Sequence, residues 1–212
     1  MGGQVGDIGV IKTNMGTVEV TDCIKVVGGK IAHIGSVVDG SIKVGEKASA
    51  SYDVKNRLSI SRNHSATHLL QKALRDVLGT HIQQAGSYVS ADRLRFDFTH
   101  FTAMTAEEIR KVENIVNEKI YESIDITACE KTIDDARKMG ATALFGEKYG
   151  NIVRVVDMGG YSIELCGGAH LKNTAQIGSF KIVSEGGVAS GVRRIEALTG
   201  AGAVKFYQRQ ED

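Results

Sequence analysis

Two short stretches of this 212-residue chain place groups with lone pairs at the spacing of one helical turn. The first is Asn63-His64-Ser65-Ala66-Thr67-His68-Leu69-Leu70, where His64 and His68 stand four residues apart as a helix gets under way. On a helix that spacing puts two imidazoles one above the other on the same face. The second stretch, Cys166-Gly167-Gly168-Ala169-His170, repeats the spacing with one thiol and one imidazole. Its two glycines predict a tight turn that lets both side chains converge without helical geometry. The four groups make a His₃Cys set, which suits zinc, a borderline-soft ion that takes imidazole nitrogen and thiolate sulfur in a tetrahedron. A His-x-x-x-His pair alone is more often an ordinary solvated helix face than a metal site, so the metal reading rests on both pairs together. No Glu follows His64, so the metalloprotease pattern His-Glu-x-x-His and its general base are absent.

The elements that must hold these groups can be read from periodicity. Ala66, Leu69, Leu70, Ala73, Leu74 and Val77 form one stripe at about 100° per residue. His64, His68, Gln71 and Arg75 fall opposite it, on a polar face that looks to solvent or to a lined cavity. Asn63 reads as the N-cap, Leu78 as the end and Gly79 as the C′ glycine of this helix. Arg93-Leu94-Arg95-Phe96-Asp97-Phe98-Thr99 alternates strictly, the mark of a half-buried strand with Leu94, Phe96 and Phe98 inward. Thr105-Ala106-Glu107-Glu108 has capping-box form and is followed by Ile109, Val112, Val116 and Ile120 at helical spacing. Thr132-Ile133-Asp134-Asp135 opens a shorter helix that ends at Gly140. Residues 152–158, 161–165, 179–183 and 192–198 are strand-like.

Before all of this, Val10-Ile11, Thr17 to Val27, Lys30 to Val38 and Ile42-Lys43-Val44 are rich in β-branched residues and separated by turn signals such as Gly28-Gly29 and Asp39-Gly40. Short strands so spaced predict a small barrel or sandwich. Cys23 and His33 stand singly there and suggest packing or surface roles. The fold class is therefore α+β, with a small N-terminal β-barrel over 1–57 and an α+β core with a zinc site over 58–212.

Composition narrows the function classes. With 26 basic and 25 acidic residues the formal net charge is +1, so no global field announces a nucleic-acid or membrane partner, and any RNA contact must be local. Three cysteines without a close pair fit a reducing cytosol better than a disulfide framework. Neither a signal sequence nor an 18-residue apolar run is present, so the chain reads as cytoplasmic. Proline is absent and glycine numbers 25, so the turns rely on glycine.

Several of these motifs resemble a known family. Asn63 to Leu70, Gln84-Ala85-Gly86-Ser87, Arg93 to Phe98, Leu165-Cys166-Gly167-Gly168 with His170, and Gly191-Val192-Arg193-Arg194-Ile195-Glu196 are similar to the editing domain of bacterial alanyl-tRNA synthetase. Gly2-Gly3-Gln4-Val5-Gly6-Asp7 with Gly9 resembles the motif that opens the small barrel before that domain. The free-standing alanyl-tRNA deacylases and the threonyl-tRNA synthetase editing domain share the His₃Cys pattern but match the flanking motifs less well. No aminoacylation domain is present, so the chain looks like a fragment of a longer enzyme. One departure is Ala169, where the family usually has Thr.

The resemblance implies hydrolysis of the ester joining serine or glycine to tRNA(Ala), with alanyl-tRNA(Ala) spared. It implies zinc held by His64, His68, Cys166 and His170. Thr67 would line the pocket, and Gln84 would contact substrate or the terminal adenosine. Gly167 and Gly168 are candidates to present backbone N–H groups to the ester oxygen. Lys181, Arg193 and Arg194 are candidates for phosphates of the acceptor end, although adjacent arginines on a strand face opposite ways. Two other classes stay open: a non-catalytic tRNA-binding module with a structural zinc, and a metal hydrolase of unrelated small esters.

Overall fold

A computed structural model describes residues 3–143 and 149–211; Gly2 of the glycine-rich opening motif lies outside them. The chain divides into two compact units, one from Val5 to Leu58 and one from Ser59 onward that also takes in Gly3 and Gln4.

In the first unit, β1 (Gly9–Lys12), β2 (Gly16–Lys25), β3 (Ile31–Gly40) and β4 (Ser49–Tyr52) form an antiparallel sheet in the order β3-β2-β1-β4. No pairing joins β3 to β4, so among the described residues the sheet is open where the sequence suggested a closed barrel. The fourth strand is also not the one expected. Ile42-Lys43-Val44 runs into a turn closed by the Glu46 N–H on Lys43 O, with Gly45 at φ +92°, and Ser49–Tyr52 pairs with β1 instead. Turn geometry here overrides the β-propensity of the Ile-Lys-Val run.

Helix α1 spans Val54–Leu78 and starts well before Asn63. Its cap is Asp53, whose Oδ1 accepts from the Asn56 N–H at 2.8 Å. Asn63 is thus a mid-helix residue. Its side chain reaches sideways, donating to Ser90 O and Ala91 O and accepting from the Thr199 hydroxyl. The helix ends as the sequence implies, with Gly79 at φ +114° donating to Arg75 O.

The second unit holds two more antiparallel sheets. The first comprises β5 (Gln84–Val89), β6 (Leu94–Thr99), β10 (Phe180–Ala189) and β11 (Val192–Thr199), in the order β10-β11-β6-β5. The other runs β7 (Ile126–Thr132), β8 (Ile152–Met158), β9 (Ser162–Leu165) in sequence. Helices α2 (Ala106–Tyr121), α3 (Ile133–Lys138) and α4 (Ala201–Glu211) complete a mixed α+β architecture. The Thr105 capping box is made in full, and Thr132 caps α3. Periodicity did not reveal β5, β7 and α4.

The second unit has two apolar clusters, a small one of Ala136, Val153, Val155 and Leu165 and a much larger one that α1 helps to build. Ala66, Leu69, Leu70, Ala73 and Leu74 from α1 join Leu94, Phe96 and Phe98 from β6, Ile195 and Ala197 from β11, and Val112, Val116 and Ile120 from α2. What distinguishes α1 is that its other face is buried too: Ser61, Asn63, His64, Ser65, Thr67, His68 and Gln71 are all enclosed. A helix enclosed on all sides places polar groups out of water, and each such group needs a partner. No helix of the described residues is long and apolar enough to cross a membrane.

Candidate metal centre

The polar face of α1 looks into a side-chain cluster, not solvent. His64 and His68 are 3% and 5% exposed, and the turn after β9 brings half-buried Cys166 and His170 against them. One potential ligand atom from each of the four lies within 4.8 Å of all the others. Cys166 Sγ is 3.4 Å from His64 Nε2 and 3.3 Å from His170 Nε2. A tetrahedron built on bonds of about 2.0–2.3 Å has edges of about 3.3–3.6 Å, so the donor types and the two Sγ–Nε2 distances fit a single divalent ion, and the wider separations, up to 4.8 Å, would contract around it.

The other nitrogen of each imidazole is engaged. His64 Nδ1 is 2.7 Å from Gln4 Oε1. His68 Nδ1 is 2.8 Å from Glu164 Oε2, a short ion-pair contact in which the N–H is not aligned on the oxygen. His170 Nδ1 is 3.3 Å from Ser65 Oγ, which also accepts from the Leu171 N–H. Partners of this kind orient metal-binding histidines and raise their basicity. Arg154 on β8 holds the turn itself, its Nη1 donating to Cys166 O and Gly168 O, each at 2.8 Å. Gly168 admits no side chain: a Cβ there would lie 2.0 Å from His64 Cε1.

Electrostatics reinforce the geometry. Burial works to raise the Cys166 pKa, but the imidazoles of His170, His64 and His68 packed against the sulfur outweigh it and drive it far down. Burial likewise works to lower His68, and the Glu164 carboxylate together with Cys166 reverses this and drives it up. His64 and His170 are pushed down, chiefly by burial, and stay neutral. Thiolate and neutral imidazole are the forms a metal requires, and an ion entering here displaces the proton of His68.

The other sequence-derived candidates are distributed as follows. Thr67 lies on α1 beside the cluster and donates to Asn63 O at 2.8 Å. Gln84 opens β5 opposite Phe98. The Gly168 N–H is turned inward onto Cys166 Sγ at 3.4 Å, so of the two expected backbone donors only that of exposed Gly167 is free. The three cations are all matched by carboxylates: Lys181 by Glu113 at 3.0 Å, Arg193 by both oxygens of Glu185, and Arg194 by both oxygens of Asp97. Arg193 and Arg194 do face opposite ways, and each has its own acid. Sequence reasoning missed Gln4, Ser65, Arg154 and Glu164. For Glu164 a signal existed, since Ser162, Glu164 and Cys166 alternate along one strand face.

With this arrangement in view, comparison with known proteins shows what the chain is similar to. Residues 153–196, which contain β9 and the whole of the Cys166–His170 turn, match the threonyl and alanyl tRNA synthetase second additional domain. The match then extends from one domain to one enzyme. The chain is 61% identical over 210 residues to the alanine–tRNA ligase of Acetivibrio thermocellus, 55% over 212 residues to alanine–tRNA ligase 1 of Lachnoclostridium phytofermentans, and 54% over 211 residues to that of Thermoanaerobacter sp.. These alignments take in 99–100% of this chain and 24% of each relative. The chain is thus homologous along its length to the segment of alanyl-tRNA synthetases that carries this additional domain, and spans about a quarter of those enzymes.

Proposed function

We propose that this chain is an aminoacyl-tRNA deacylase that hydrolyses the ester of tRNA(Ala) mischarged with serine or glycine and spares alanyl-tRNA(Ala). The observation that carries the reading is the buried His₃Cys cluster, held on all sides, inside a segment homologous to alanine–tRNA ligases. The need for such a site follows from binding energetics. A pocket shaped for alanine gains only about 1–3 kcal/mol over one missing methylene and rejects an added hydroxyl poorly, so a second, hydrolytic site supplies the discrimination.

His64, His68, Cys166 and His170 would hold zinc, which supplies polarisation of the ester carbonyl or a water of lowered pKa. Thr67 tests for serine: its hydroxyl proton is committed to Asn63 O, leaving oxygen lone pairs to accept from the serine hydroxyl. Gly167 offers its free backbone N–H to the ester oxygen, and Gln84 contacts the substrate or terminal adenosine. Lys181 and Arg194, whose side chains keep 26% and 35% exposure despite their ion pairs, are the cations placed to exchange a carboxylate for an acceptor-end phosphate. Arg193, nearly enclosed with Glu185, braces the β10–β11 hairpin. Partners are tRNA(Ala) and the remaining domains of a synthetase, in the cytoplasm.

One observation favours a second reading. Four protein ligands close a tetrahedral site, as in structural zinc centres, whereas catalytic zinc keeps an open position. A tRNA-binding module with a structural zinc would have this ligand count. Deacylation of Ser-tRNA(Ala) and Ala-tRNA(Ala) by the zinc-loaded chain, with His68→Ala as control, separates the two. Rapid loss of serine with alanine retained, abolished in the control, is expected. Binding of tRNA without release of serine above buffer would establish the second reading.

A further inference from the structure

The sequence assigned Gly2-Gly3-Gln4 to the opening of the N-terminal β-unit, but Gln4 belongs structurally with the cluster. The backbone of this segment runs beside β5: Val89 N–H donates to Gly3 O at 2.8 Å, and Gln4 bridges to Val89 in parallel. From there the Gln4 side chain enters the ligand set, with one atom meeting two groups. Oε1 is 2.8 Å from Ala169 N and 2.7 Å from His64 Nδ1.

These two contacts together determine proton positions that neither would alone. A backbone N–H only donates, so the atom facing Ala169 is the amide oxygen, and the usual ambiguity between amide O and N is removed. An oxygen that accepts from Ala169 cannot donate to His64, so His64 Nδ1 carries the proton. Nε2 is then the bare nitrogen, and it is Nε2 that stands 3.4 Å from Cys166 Sγ. Gly168 completes the fit, since a Cβ there would come within 2.9 Å of Gln4 Oε1 and 2.4 Å of His64 Nδ1.

We propose that Gln4 is a positioning residue of the metal centre: it locks His64 in the Nδ1–H tautomer and ties that histidine to the turn carrying Cys166 and His170. Gln4 is therefore part of the metal centre. This rests on the metal-binding reading above.

The test compares the wild-type chain with Gln4→Leu, which keeps bulk and removes the acceptor, and Gln4→Glu, which restores an acceptor. Zinc affinity is read by competition with a chelator, and the His64 tautomer by ¹⁵N–¹H NMR of histidine-labelled protein. Gln4→Leu is expected to weaken zinc binding by about 10- to 100-fold and to lose the protected His64 Nδ1–H resonance, with Gln4→Glu recovering both. If Gln4→Leu does not fold, Gln4→Asn, one methylene too short to reach Nδ1, replaces it, and the wild-type tautomer is measured without any variant. Wild-type His64 protonated at Nε2, or equal zinc affinity in wild type and Gln4→Leu, would overturn the inference. A wild-type chain that takes up no zinc would instead overturn the metal reading on which it rests.

Discussion

The molecule contains two groupings of histidines, and they are built on opposite rules. His81 and His100 stack at 5.2 Å between centroids, with His81 Nε2 2.9 Å from His100 Nδ1 and His100 Nε2 3.2 Å from the Thr102 hydroxyl. His81 is exposed, and three of the pair's four nitrogens are spent on each other and on a neighbouring hydroxyl. In the cluster of His64, His68 and His170, each Nδ1 has a partner that is not itself a ligand, and each Nε2 is left to converge with the Cys166 sulfur. Close approach of imidazoles is common to both. What separates a candidate metal centre from a surface contact is the set of outside partners and the enclosure that keeps water from replacing them.

The largest expected effect comes from removing one such partner while leaving every ligand in place. Glu164 is buried, and its other oxygen, Oε1, accepts from the Ser162 hydroxyl at 3.1 Å, so the carboxylate is held against His68 from behind. Glu164→Gln preserves size and removes the charge. Zinc affinity measured by chelator competition should fall by about 10- to 100-fold. An unchanged affinity would mean that the four ligands suffice and that the contrast between the two histidine groupings lies in burial alone.

That contrast was only half legible in the chain. The ligands showed because both pairs keep a four-residue spacing, a local pattern that survives without knowledge of the fold. Their partners did not, because Gln4, Ser65 and Arg154 meet the site only after β5, α1 and β8 are placed. The same limit explains the helix boundary. Asn63 has the composition of a cap and stands before an apolar run, yet Asp53 takes that role and Asn63 is recruited by backbone carbonyls of a distant loop. Long, strongly patterned elements such as β6 and α2 were readable because one buried face sets their period. Strand β7, exposed beyond Ile126, has no such face, and the short strand β4 is exposed throughout.

A second test asks whether enclosure with a fixed partner is enough to define function. Asp97, on β6, is 8% exposed and accepts from Arg194 Nε and Nη2 at 2.7 and 2.8 Å. It is as well oriented as any group in the cluster, but it is paired with an opposite charge and so belongs to the scaffold. The hydrogen bonds from Arg194, aided by the charge of Arg95, hold its carboxyl below the usual range. A carboxyl lowered by folding contributes stability that is present above its unfolded pKa of about 3.9 and is lost as pH falls through the folded value. Asp97→Asn should therefore lower urea-unfolding stability by about 1–2 kcal/mol near neutral pH, with the gap to wild type closing in acid and zinc affinity unchanged. A gap that persists undiminished in acid would mean that packing, not charge, accounts for the effect.

The smallest effect is expected where the two histidine groupings are compared directly. His81→Asn removes the imidazole that faces His100 at an exposed site and touches nothing in the buried cluster. If outside partners and enclosure make the difference, wild type binds one equivalent of zinc per chain, and the variant binds the same equivalent with affinity within about twofold. The stacked pair can offer a nitrogen of each ring to one ion only by giving up the His81–His100 or the His100–Thr102 contact, and water competes for them at every step. Isothermal titration of both proteins decides it. A second equivalent of similar affinity, lost on His81→Asn, would show that two adjacent imidazoles suffice without the supporting contacts that Gln4, Glu164 and Ser65 provide.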